Sequence, residues 1–208
     1  MFRRKTFQGS QDSSATPPAA PSRALEWLWQ NFRDVKHPHI LDCGGAHQAT
    51  LDALLNRGSK LYITDLLTPA REFDPKFISR LGKRTVFLID DFLENLPPIP
   101  PDSLSAIAGW HLLDLLPRDA LPGLVAKLWS YIRRGGALFC LVREPILTTG
   151  AGTSWWFESL TVLGSDAQSK VPFPYPALSN REIERLVPNG NVKTFLTRSA
   201  RREILAIK

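Results

Sequence analysis

Alternation is the feature that most constrains how this chain can fold. Short apolar runs at 39–43, 61–64, 86–89, 104–109 and 137–142 read as buried strands, with helix-like segments between them. Leu51, Leu54 and Leu55 share one helical face that ends at Gly58. Asp74-Pro75 offers an N-cap and a first-turn proline to a helix through Phe77, Ile78 and Leu81. From near Asp119, Leu121, Leu124, Val125, Leu128, Trp129 and Ile132 form one stripe, closed by Arg133-Arg134-Gly135-Gly136. Ser179-x-x-Glu182 is a capping box that opens a short helix stopped by Pro188. The last two strand-like runs, 192–197 and 203–207, lie too close together for a parallel crossover and must form an antiparallel hairpin. The chain therefore predicts a three-layer, doubly wound, mostly parallel α/β sheet ending in an antiparallel hairpin.

Composition narrows the class. A length of 208 residues suits one domain. No apolar run approaches a membrane span, and two cysteines, Cys43 and Cys140, cannot build a disulfide framework. A cytoplasmic protein without membrane contact is the expectation. Residues 1–22 are polar and proline-rich and read as a disordered leader, with the domain following at 23–208. Ser22 is the N-cap of a helix bearing Leu25, Leu28, Trp29 and Phe32. The net charge of +6 resides in residues 1–22 and 178–208, because 23–177 balances. Ten of the 17 prolines cluster in the leader, at 97–101 and at 172–176.

Parallel sheets of this kind bind ligands at the carboxyl ends of their strands. The first strand ends in Asp42-Cys43-Gly44-Gly45-Ala46-His47, where glycines let backbone approach a ligand or simply make a turn. Asp65 ends the second strand, as a ribose acceptor or a helix cap. Asp91, with Phe92 after it, ends the third. No phosphate-loop pattern of the NTPase type occurs.

With these residues in view, ILDCGG, ITDL, DDFLENLP, GWHLLDLLP, IRRGGALFCLV and SNREIERLVP together resemble the class I S-adenosylmethionine-dependent methyltransferases over about 23–208. The resemblance implies a seven-stranded Rossmann-like sheet, S-adenosylmethionine as cofactor and methyl transfer to a small-molecule substrate. It places Asp42, Gly44, Gly45 and Ala46 around the methionine part of the cofactor, Asp65 with Leu66 at the ribose, and Asp91 with Phe92 at the adenine. Trp110 would line the cleft. The family's glycines at alternate positions are here Gly44, Ala46 and Gln48. The tetrad of adenine amino-methylating enzymes is missing.

His111, after the fourth strand, is the candidate general base, or else a histidine packed at a strand end. His37-Pro38-His39 lacks a further metal ligand nearby. Residues 146–178, with Trp155, Trp156, Phe157, Phe173 and Tyr175, read either as a substrate lid or as a helix at 153–163 packed on the sheet. Arg198, Arg201 and Arg202 are solvated hairpin charges or contacts to RNA phosphate. Two alternatives to the enzyme thus stand: a methyltransferase-fold binding module without turnover, and an RNA methyltransferase.

Overall fold

A computed structural model describes residues 19–82, 84–188 and 191–208. The leader expected at 1–22 lies mostly outside these residues, but its end does not. Ala20–Pro21 form a short strand, β1, and Ser22 caps α1 (Arg23–Asn31), its Oγ accepting from Leu25 N at 3.1 Å. Then follow β2 (His39–Asp42), α2 (Gln48–Asn56), β3 (Lys60–Ile63) and α3 (Leu67–Arg71). A hairpin of β4 (Ile78–Leu81) and β5 (Arg84–Phe87) leads to α4 (Ile89–Leu93). The centre of the chain supplies β6 (Leu104–Trp110), α5 (Leu112–Leu115), α6 (Leu121–Tyr131) and β7 (Ile132–Arg143). A second hairpin, β8 (Trp155–Ser159) with β9 (Val162–Ser165), precedes α7 (Asn180–Leu186), β10 (Asn191–Leu196) and β11 (Arg201–Ile207).

The main sheet has the order β10-β11-β7-β6-β2-β3. Its four strands β3, β2, β6 and β7 are parallel, while β11 runs antiparallel between β7 and β10. The chain steps outward from β2 to β3 in one direction and from β6 to β7 in the other. Right-handed crossovers then put α2 and α6 on opposite faces, giving the three layers of a doubly wound, Rossmann-like sheet. Every residue of β6 is buried, as a central strand covered on both faces requires. The closing pair β10–β11 is antiparallel, as its short connection demands.

The sheet has six strands where seven were expected. The run at 86–89 does not join it. Arg84–Phe87 instead pairs with Ile78–Leu81 across a turn at Gly82, whose φ of 63° suits a tight hairpin. The Asp74 cap is present, its Oδ1 accepting from Lys76 N at 3.1 Å, but the 3₁₀ turn it opens lasts only from Pro75 to Phe77. Helical spacing of Ile78 and Leu81 was outweighed by a two-residue turn that brings Leu81 opposite Arg84.

The helix considered at 153–163 is likewise a hairpin. Its run Trp155-Trp156-Phe157 has the aromatic content of a strand, and β1 adds to its edge, pairing Ala20 with Leu163. This three-stranded sheet lies over α2, where Phe157 N donates to Thr50 Oγ1 at 3.1 Å. The proline-rich segment after it is fastened by arginines to its carbonyls. Arg143 donates to Leu147 O at 2.9 Å and to Tyr175 O, and Arg118 donates to Pro176 O and Ala177 O. Among the described residues, no helix is long and apolar enough to cross a membrane.

Candidate active site

The carboxyl ends of β2 and β3 open on a cavity of about 420 Å³ beside the point where strand order reverses. Gly45, Ala46 and His47 form one wall, Asp65 another, and Trp155 and Trp156 of the accessory hairpin stand opposite. His47 caps α2, its Nδ1 accepting from Ala49 N, and its ring stacks on Trp156 with centroids 4.1 Å apart. A Cβ placed on Gly45 would lie 3.7 Å from Asp65 Oδ2, so loop and carboxylate face each other across a short gap.

Of the two roles considered for it, Asp65 displays the helix cap. Its Oδ1 accepts from Leu67 N and Thr68 N at 3.0 Å each, capping α3, and its Oδ2 accepts from Thr68 Oγ1 at 2.6 Å. Oδ2 keeps acceptor capacity toward the cavity, since a carboxylate oxygen has two lone pairs.

Asp42 lies under the floor rather than in the cavity. Its Oδ1 accepts from Trp110 Nε1 at 2.6 Å and from Gly44 N at 2.8 Å. Burial pushes its carboxyl up to about 6, against the opposing effect of these two donors. The loop begins with glycine for a steric reason: a Cβ on Gly44 would meet Trp110 Nε1 at 2.9 Å. Trp110 reaches this place because β6 ends in a register shift and Trp110 itself adopts φ 46°. Its indole then packs on Phe139 and Phe157.

The remaining expected residues do not meet at the cavity. Leu66 is fully buried. Asp91 is exposed in the first turn of α4. Phe92 is buried among Phe77 and Phe87, both with centroids 5.2 Å away. His111 is buried. Its Nδ1 lies 3.2 Å from Asp114 Oδ2, and its Nε2 has no partner among the described residues. Burial lowers its pKa, partly offset by Asp114, so the ring is neutral near pH 7. Trp155, a wall of the cavity, packs on His111 with centroids 6.2 Å apart.

Sequence reasoning missed Arg71, Asp166 and Ser154. Arg71 donates to Ser154 Oγ at 3.4 Å and Thr153 O at 3.3 Å, and its Nε is buried without a partner among the described residues. None of these residues follows a glycine turn or ends a parallel strand, so no local pattern marks them. Cys43 and Cys140 are free and buried, and burial raises both thiols. Among the described residues no three His, Cys, Asp or Glu side chains are grouped to hold a metal ion.

The basic cluster is not a surface patch. Arg201 and Arg202 are only 6% and 4% exposed, facing β7, and Arg202 pairs with Glu144 at 2.9 Å. Only Arg198 of the three is exposed, so neither solvated charges nor a phosphate-binding triplet describes them.

No family model matches the chain, and no curated protein matches it. Solved structures similar to it are S-adenosylmethionine-dependent methyltransferases. One is the 1,6-didemethyltoxoflavin-N1-methyltransferase of Burkholderia thailandensis, solved with 1,6-didemethyltoxoflavin and S-adenosylhomocysteine. It is 13% identical, with 90% of this chain and 79% of that chain covered and a TM-score of 0.46. A putative type 11 methyltransferase of Sulfolobus solfataricus is 14% identical, covering 91% and 94%, at 0.48. A SAM-dependent methyltransferase of Aquifex aeolicus is 15% identical, covering 88% of each chain, at 0.47.

Proposed function

We propose that this chain binds S-adenosylmethionine in the cavity at the ends of β2 and β3 and methylates a small acceptor. One observation carries the reading: Gly45, Ala46 and Asp65, distant in sequence and expected to hold this cofactor, line one cavity. The fit is chemical as well as spatial. Gly45 leaves open the space a Cβ would take, and Asp65 Oδ2 has room for a ribose hydroxyl. When bound, the cofactor supplies an activated methyl whose carbon takes a bonding pair from an acceptor O, N or C atom as the sulfonium becomes a thioether. Trp155 and Trp156 cover the site and exclude water, the lid role expected of 146–178. His111, held at Nδ1 by Asp114, lies behind Trp155 outside the cavity lining and takes the acceptor's proton at Nε2 when Trp155 swings aside.

The test is calorimetric titration with S-adenosylhomocysteine. Asp65→Ala should weaken binding by about 1–3 kcal/mol, through lost hydrogen bonds. Unchanged affinity would make Asp65 a helix cap alone, and no binding by the wild type at millimolar ligand would remove the reading. His111→Gln should slow turnover about a hundredfold with unaltered cofactor affinity. Because burial depresses the His111 pKa, the acid limb of the wild-type pH–rate profile should fall below pH 6.5. A limb above that value would assign it to another group.

A binding module without turnover is the second reading. It is favoured by His111 lying outside the cavity lining, with Trp155 packed upon it. Cofactor binding without methylation of any acceptor would establish it.

A further inference from the structure

A second cavity, of about 550 Å³, lies against the face of β7, β11 and β10. Leu141, Trp155, Leu163 and Phe195 give it apolar walls, and Arg201 lines it from β11. Trp155 is common to both cavities, so one indole separates the two spaces. Arg23 and Arg198, both exposed, also border this second cavity.

Arg201 is unusual for a buried cation, because it makes no ion pair among the described residues. Its Cζ lies 5.0 Å from the centre of the Trp155 ring. Among the described residues its guanidinium makes one hydrogen bond, from Nη1 to Ser199 O at 3.4 Å, and its Nε is buried without an acceptor there. The nearby acids are committed elsewhere. Glu203, in the same lining, accepts from Ser22 Oγ and Ala24 N at 3.0 Å each. Asp114 Oδ2 faces His111 Nδ1 and accepts from Arg143 N, while its Oδ1, without a hydrogen bond among the described residues, lies 3.9 Å from Arg143 Nε. The stacked neighbour repeats the deficit, for Trp155 Nε1 is also buried without an acceptor among the described residues. Two orphaned donors on adjoining side chains cost stability until an acceptor arrives. The residues that carry them line a cavity with apolar walls, which is complementary to an anionic group on an apolar body.

We infer that this cavity binds a small molecule with a planar apolar body and one carboxylate, the carboxylate on Arg201 and the body against Trp155, Leu163 and Phe195. A carboxylate suits the guanidinium fork, and a single anion balances the single buried cation. That such a molecule is the methyl acceptor rests on the proposed function of the first cavity; the binding site itself does not.

Titration of the full chain with 2-naphthoate, and with the uncharged 2-naphthamide, tests the inference. The wild type should bind the acid at least about tenfold more tightly than the amide. Arg201→Gln should remove that preference, while its S-adenosylhomocysteine titration and thermal melt stay as in the wild type. Arg201→Lys keeps the charge without the fork, so it should weaken naphthoate severalfold and retain a preference for acid over amide. Equal binding of acid and amide by the wild type overturns the inference. So does a preference that survives Arg201→Gln, displacement of naphthoate by equimolar inorganic phosphate, or no naphthoate binding at millimolar concentration. Naphthoate binding without S-adenosylhomocysteine binding leaves this site standing and removes the proposed function. The converse result removes this site alone.

Discussion

Trp110→Ala is expected to lower the unfolding free energy by about 3–5 kcal/mol, the usual cost of deleting a large buried aromatic. The indole is wholly buried and contacts Phe139 and Phe157, so its loss leaves a void at the centre of the molecule. The deletion also removes the 2.6 Å donor to Asp42, leaving Gly44 N–H as the one remaining partner of that carboxylate among the described residues. Trp110→Phe separates the two effects, because it keeps most of the volume and loses only the N–H. Its cost should be about 1.5–3 kcal/mol at pH 8, where Asp42 is ionised, and should shrink in acid. Chemical denaturation of both variants at pH 8 and at pH 4.5 checks this. A Phe variant with the same deficit at both pH values would show that the hydrogen bond to the ionised group contributes nothing.

The second large effect is a dependence of stability on pH that runs opposite to that of a salt-bridged acid. The carboxyl of Asp42 titrates near 3.8 when unfolded and at about 6 in the folded chain. Between those values the folded state holds a proton that the unfolded state has released. The stability from this group is therefore fully present below 3.8 and lost as pH rises through 6. The displacement corresponds to about 3 kcal/mol. Asp42→Asn removes the titration while keeping an oxygen to accept from Trp110 and Gly44. It should flatten the pH profile of stability between 4 and 6 and leave the variant more stable than the wild type at pH 8. Glu203, which burial also raises, titrates in the same sense in both proteins, so their difference reports Asp42 alone. Urea unfolding across pH 4–8 gives the answer. An Asn variant that follows the wild-type profile would place the titration elsewhere.

What could be read before the structure, and what could not, follows from how local each signal is. The capping box at Ser179, the cap at Ser22 and the stripe along α6 from Leu121 to Trp129 are decided within a few residues and appear where the spacing put them, but Ile132 and the Arg133–Gly136 run expected to close α6 belong to β7. The antiparallel β10–β11 pair follows from connection length alone. The failures occur where two local preferences compete. At 74–87 a helix start and a tight glycine turn both fit, and the turn prevailed. At 153–165 helical packing competed with a run of aromatics, and β1, over a hundred residues away, supplies the edge that completes a sheet. The same limit applies to the site. Gly45, Ala46 and Asp65 sit beside strand ends and were legible, whereas Arg71 and Asp166 reach the cavity only through tertiary packing. The carboxylate of Asp91 was assigned through a strand that pairs outside the main sheet, and it stands on an exposed helical turn.

The small sheet over the cavity joins β1 to a hairpin whose pairing partners lie at 162–163, and Ser22 beside it is fastened to Glu203 of β11. During synthesis, therefore, residues 20–22 must wait for almost the whole chain to emerge before their partners exist. Closing so long a loop carries its entropic cost before any contact offsets it, and it slows the last stage of folding. The parallel core of β2, β3, β6 and β7 can assemble as soon as residue 143 is free. For that interval the nascent protein has its glycine loop and Asp65 in place beneath an unfinished roof.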